Sequence, residues 1–120
     1  MGAVVYHIAS AEDWQHAHEV GEYRISTRGR TLEEEGFIHC SQAGQVGRVA
    51  NRFYRDAAGL VLLTIDPARL RSEFRYEAVP GWDEPFAHIY SPLNNDAVIR
   101  VSPFEPGPDG AFAFDGEASS

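Results

Sequence analysis

A chain of 120 residues with 43% hydrophobic content is the size of one ordinary globular domain with a core of its own. Its formal charge is −8, and four unopposed acids near the end (Glu105, Asp109, Asp115, Glu117) carry half of it, so non-specific nucleic-acid binding is not expected. A single cysteine excludes an internal disulfide and makes a reducing cytoplasm the expected setting, while no apolar run approaches the ~20 residues of a membrane span and the first residues lack a signal-peptide layout.

In chain order, Ala3–Ile8 is β-branched and aromatic and predicts a first strand buried on both faces, interrupted near its end by His7. Ser10 and Asp13 resemble a capping box before a helix over 11–20, with Trp14, Ala17 and Val20 on its inner face and Gly21 as its stop. His16 and His18 lie on that helix roughly 200° apart, a spacing for exposed side chains rather than a shared metal. Glu22–Ser26 reads as one short strand, and Thr27–Glu35 as a polar loop or helical turn.

The densest stretch is Gly36-Phe37-Ile38-His39-Cys40-Ser41. Phe37 and Ile38 read as a short buried strand entered through Gly36, and Ser41 as the N-cap of a helix running to about Arg55. An imidazole, the chain's single thiol and a hydroxyl would then face a cleft above a helix N-terminus. On the helix, Val46, Val49, Ala50 and Phe53 form the expected buried stripe, while Arg48, Arg52 and Arg55 form a cationic one, either a solvated face or a phosphate-binding ridge.

Leu60–Ile65 is aliphatic throughout and predicts a central strand. A polar strand around Phe74–Glu77 follows, then a turn-rich loop over 79–85 carrying Trp82 as a candidate lid or platform. Phe86–Tyr90 is a strand holding His88, and Ala97–Val101 is the last. The domain is expected to span 1–104, with 105–120 a flexible acidic tail on which Phe112 and Phe114 pack loosely.

His7, His39 and His88 share one context, at or near the ends of short apolar strands, where one sheet can gather them in a cleft. No metal is expected: no second cysteine and no His-Glu-x-x-His helix is present. Phosphate loops, dinucleotide-binding glycine motifs and nucleophile elbows are also absent. All ten basic residues are arginine, so no lysine is available as base or Schiff-base nucleophile.

Tyr6–Ser10, Gly36–Ser41, Ala50–Tyr54, Leu60–Asp66 and His88–Leu93, in that order and spacing, resemble the bacterial domain-of-unknown-function 952 family over about residues 4–103. More distantly, that family is similar to the ADP-ribosyltransferase superfamily, including the tRNA 2′-phosphotransferases. The resemblance implies an α+β domain: a bent, split antiparallel or mixed sheet forming a half-barrel, with two short helices packed on it. It also implies NAD as a possible substrate. Tyr6-His7-Ile8-Ala9 matches the first motif except at Ala9, and Ser41 is the nearest match to the second. At the third motif His88 stands where a glutamate is usual, and Glu77 lies before the loop.

Three readings follow. In the first, a transferase-like enzyme binds a small nucleotide-like ligand: His7 and His39 line the pocket, and Ser41 meets an oxygen anion. Arg48 and Arg52 serve phosphate in this reading, His88 and Tyr90 close the far side, and Trp82 acts as a lid. In the second, Cys40 is a nucleophile or redox sensor with its pKa lowered by His39 and a helix N-terminus. In the third, the domain binds without catalysis.

Overall fold

The computed structural model describes residues 3–71 and 73–114. In chain order its elements are β1 (Val5–Ser10), α1 (Ala11–Val20), β2 (Glu22–Tyr23), β3 (Ile25–Thr27), β4 (Arg30–Thr31), α2 (Leu32–Glu35), β5 (Ile38–Cys40), α3 (Val46–Phe53), β6 (Leu60–Ile65), β7 (Phe74–Glu77), β8 (Phe86–Ile89), β9 (Leu93–Asn94) and β10 (Val98–Phe104). The domain is α+β, and its strands pair antiparallel.

Two three-stranded sheets organise it, in the orders β1-β6-β10 and β5-β8-β7. They meet at one bridge, where Tyr6 N–H donates to Ser41 O at 2.8 Å and Ser41 N–H returns the bond to Tyr6 O at 2.7 Å. The sheet is therefore split and does not close into a barrel. β1 is buried on both faces because its alternate residues serve two cores. Val5 and Ala9 join Ile38, Cys40, Leu63, Ile65 and Ile89 between the sheets, while Tyr6 and Ile8 join Val46, Ala50 and Leu62 under α3. Each such aliphatic side chain contributes about 1.5–3 kcal/mol when fully buried.

α1 matches its sequence: Ser10 caps it through Asp13 N–H, and Gly21 ends it in the left-handed region at φ 96°. Its expected inner face is narrower than the spacing implies, since Ala17 is buried but Val20 is exposed. Several other boundaries need correction. Glu22–Ser26 is two strands, β2 pairing with β9 and β3 with β4. The polar stretch before Gly36 holds both β4 and α2, the latter closed by a capping box between Thr31 and Glu34.

β5 includes His39 and Cys40, so these residues lie within a strand and not after it. Ser41 caps no helix, because its backbone is committed to Tyr6. A 3-10 turn over Ala43–Gln45 intervenes before α3. α3 ends at Phe53, which is 50% exposed and so leaves the predicted buried stripe, and Arg55 falls beyond the helix. Past Phe104 the chain returns to α3: Phe112 is 3% exposed, its N–H donates to Asn51 Oδ1 at 2.7 Å, and its carbonyl accepts from Asn51 Nδ2 at 2.9 Å. Phe112 is thus firmly packed where loose packing was expected; residues 115–120 of the expected tail lie outside the described residues. Among the described residues no helix is long and apolar enough to cross a membrane.

Candidate functional site

Strand parity places the polar groups. In the β5-β8-β7 sheet, Ile38, Cys40, Ala87 and Ile89 face the core. The cross-strand partners His39 and His88, with Arg75 opposite His88, therefore lie on the other face. Phe37, Tyr90 and Glu77 share that face by the same two-residue period.

One end of this face opens into a cleft of about 370 Å³ lined by His39, Ser41, Phe86, Trp82, Phe53 and Arg28, with Thr27, Cys40, Val49 and Val79. That volume suits a small ligand. Trp82 forms a wall with its ring edge-on to Phe86 at 5.0 Å. Its loop is pinned to the start of α3: Gln42 Nε2 donates to Pro85 O at 2.8 Å, and the fully buried Gln45 donates to the same oxygen at 3.0 Å. The guanidinium groups of Arg48 and Arg52 lie 5.5 and 5.8 Å from the Trp82 ring centroid, within cation–π range. Arg48 is also paired with Glu84 at 3.2 Å and Arg28 with Asp56 at 2.6 Å. Among the described residues Arg52 has no carboxylate partner.

His39 donates Nε2–H to Glu35 Oε1 at 3.3 Å, and Arg30 holds the other oxygen of that carboxylate at 2.9 Å. This fixes the tautomer and leaves Nδ1 as a lone pair with no hydrogen bond among the described residues. Burial holds the pKa of His39 below the ordinary imidazole value against the opposing pull of Glu35, with the nearby His88 acting in the same direction as burial. A neutral, oriented imidazole beside a cleft is equipped to accept a proton.

His88 is 3% exposed. Its Nδ1–H donates to Glu77 Oε1 at 2.6 Å, and the Tyr90 hydroxyl donates to the same oxygen. These donors, Tyr90 first, hold the Glu77 carboxyl below its usual range, and Glu77 in turn raises the pKa of Tyr90. Nε2 of His88 is buried without a hydrogen-bond partner among the described residues, an arrangement that costs about 1–3 kcal/mol. Phe37 stacks on this ring with centroids 4.0 Å apart, and His39 meets it edge-on at 5.2 Å.

His7 is placed elsewhere. Its parity with Val5 and Ala9 turns it into the core, where Nδ1–H donates to His39 O at 2.5 Å and the Tyr23 hydroxyl donates to Nε2 at 3.0 Å. Burial lowers its pKa from 6.5 to about 4, so the ring is neutral and both nitrogens are used. It supports the backbone of His39 without lining the cleft. Cys40 is core-facing and 2% exposed, and burial pushes its thiol up, opposite to the expected activation. Of the expected site residues, His39, Cys40, Ser41 and Trp82 line the cleft, Arg48 and Arg52 flank Trp82, and His88 and Tyr90 lie farther along the same face.

The sequence pattern assigns no role to Glu35 or Gln45, and it sets Glu77 before the loop without linking it to His88. Glu77 lies eleven residues from His88 in sequence, across a loop whose length conceals the pairing. Glu35 was legible, because Thr31-Leu32-Glu33-Glu34 is a capping-box pattern whose helix ends there.

Fold and site together define a small α+β domain with a histidine- and arginine-lined cleft on one sheet face. The chain belongs to the family described as Protein of unknown function (DUF952), whose model matches residues 8–101. It is similar to the crystal structure of protein CC0527 from Caulobacter crescentus, with a TM-score of 0.81, 29% identity and coverage of 92% of this chain and 94% of that one. A doubly substituted form of CC0527 gives 0.80 at 28% identity with the same coverage, and its solution structure 0.71 at 29% with 90% of each chain covered. No match is found among the curated proteins. No description of these matches mentions an ADP-ribosyltransferase, and the more distant part of the resemblance is not supported by them.

Proposed function

We propose that the cleft binds a small phosphate-bearing ligand of nucleotide type, with His39 as the acid–base group beside it. The observation that carries this reading is the wall of the cleft at Trp82. A planar aromatic surface there offers stacking for a base, and Arg52 beside it is a guanidinium with no carboxylate to neutralise it among the described residues. Phe53, Phe86 and Val49 supply the remaining apolar lining. A volume of about 370 Å³ favours one nucleotide unit over a wholly enclosed dinucleotide.

The test is calorimetric titration with the four ribonucleoside 5′-monophosphates, ADP-ribose, NAD and a 2′-phosphorylated oligoribonucleotide. Saturable binding that Arg52→Ala and Trp82→Ala each weaken supports the reading. Absence of binding by every compound overturns it.

A transferase step with NAD as substrate is a second reading, favoured by Glu77. This reading takes Glu77, 2.6 Å from His88 Nδ1, for the role of the carboxylate that the third motif lacks in sequence, because a negative charge suits an oxocarbenium-like transition state. Release of nicotinamide that Glu77→Gln abolishes is the expected outcome. Binding without turnover leaves a non-catalytic module.

A further inference from the structure

Among the described residues the lining of the cleft carries one permanently charged side chain, Arg28, and no carboxylate. Arg28 opens the two-residue turn between β3 and β4, where Gly29 takes the left-handed conformation at φ 74°. Its backbone N–H donates to the Tyr54 hydroxyl at 3.2 Å, which ties the turn to the end of α3. One guanidinium nitrogen is fully used: Nη1 donates to Phe53 O at 3.2 Å and to Asp56 Oδ1 at 2.6 Å. Nε and Nη2 make no hydrogen bond among the described residues. An arginine held by Nη1 alone keeps its Nε–Nη2 edge, two parallel N–H groups whose spacing matches two oxygens of a phosphate. Asp56 does not cancel this capacity, because its side chain is 83% exposed and water screens its charge.

Phe53 brings a second guanidinium to the same place. Arg28 holds its carbonyl, while Arg52 lies 5.6 Å from the centroid of its ring and 5.8 Å from that of Trp82. Trp82, Arg52, Phe53 and Arg28 thus form a chain of contacts from the aromatic wall to the β3–β4 turn. A stacking surface stands at one end of it and a guanidinium with an unused edge at the other.

We propose that Arg28 is the phosphate-binding residue of the cleft, its Nε and Nη2 gripping the phosphate of a nucleotide whose base lies on Trp82. This assignment rests on the reading of the cleft as a nucleotide-type site. It adds the direction of the ligand: base towards the β7–β8 loop, phosphate towards the β3–β4 turn, and Arg52 between the two. Nη1 also caps the last turn of α3 through the Phe53 carbonyl, so a loss of affinity in a variant has to be separated from a loss of fold.

The first test therefore uses the wild-type protein. The Nε–H signal of Arg28 and the indole N–H signal of Trp82 are followed by ¹H–¹⁵N NMR while the four ribonucleosides and their 5′-monophosphates are added. The monophosphates should move both signals and the nucleosides that of Trp82 alone. A response of Trp82 to the monophosphates with Arg28 unmoved, or moved equally by the nucleosides, overturns the assignment and leaves the cleft reading standing. No response of either signal to any compound overturns both.

Variants then separate the phosphate contact from the ion pair. Arg28→Gln should lower affinity for the monophosphates at least tenfold without changing that for the nucleosides, and Arg28→Lys, which keeps the charge and loses the fork, should fall between. Asp56→Asn removes the same ion pair but leaves the guanidinium, so it should not weaken monophosphate binding. An equal loss for nucleoside and nucleotide in Arg28→Gln, no loss there, or a loss in Asp56→Asn as large as in Arg28→Gln, contradicts the proposal.

Discussion

The two three-stranded sheets treat histidine in opposite ways. β1-β6-β10 carries His7 between two apolar layers and satisfies both its nitrogens internally, with Tyr23 and the carbonyl of His39. β5-β8-β7 has a core on one face only, and on the other it gives His39 and His88 one carboxylate each, leaving one nitrogen of each ring without a partner among the described residues. A histidine with both nitrogens bonded is a structural element. One that is oriented and half-satisfied has bonding capacity for something else.

The largest expected effect lies in the first sheet. Leu63 is fully buried between the sheets, and Leu63→Ala should cost about 2–5 kcal/mol through lost burial and the cavity left behind, read by urea denaturation. A second effect separates the histidines by pH. The unfolded chain protonates His7 below about 6.5 and the folded chain only below about 4. Its contribution is therefore complete above pH 6.5 and lost as pH falls towards 4, by about 3 kcal/mol in total. Unfolding at pH 4.5 and pH 7 should show this loss, and His7→Asn should flatten that part of the profile. A wild-type profile no steeper than that of His7→Asn contradicts the account of the ring.

In the second sheet the effects fall on binding and titration. Arg52→Ala should lower nucleotide affinity about tenfold, equivalent to ~1.4 kcal/mol, with the melting temperature hardly changed. Tyr90→Phe removes one donor from Glu77, so the carboxyl pKa should move back up towards its ordinary value, visible by ¹³C NMR of the side chain. The smallest expected effect is none: Cys40, buried and with its thiol pKa pushed up, should resist iodoacetamide near neutral pH in the folded protein.

The sequence was most legible where a local rule decides the outcome. Alternation and β-branching mark β1 and β6, and Ser10 with Gly21 marks both ends of α1. It was least legible where long-range pairing decides. Ser41 has the chemistry of a helix cap, but its backbone is taken by Tyr6, and the helix begins later through Gln42 and Gln45. His7 and His39 look alike in sequence, yet parity sends one ring into the core and the other to the cleft. Glu77 becomes part of the site only when β7 pairs with β8, a register that no local pattern announces. Phe112 returns to α3 through Asn51, across 61 residues of chain.

The most direct test of the central claim is calorimetric titration of ribonucleoside 5′-monophosphates into the wild-type protein and Arg52→Ala side by side. The account predicts saturable binding to the wild type that weakens about tenfold in the variant. Absence of binding to the wild type, or equal affinity in both, would contradict it.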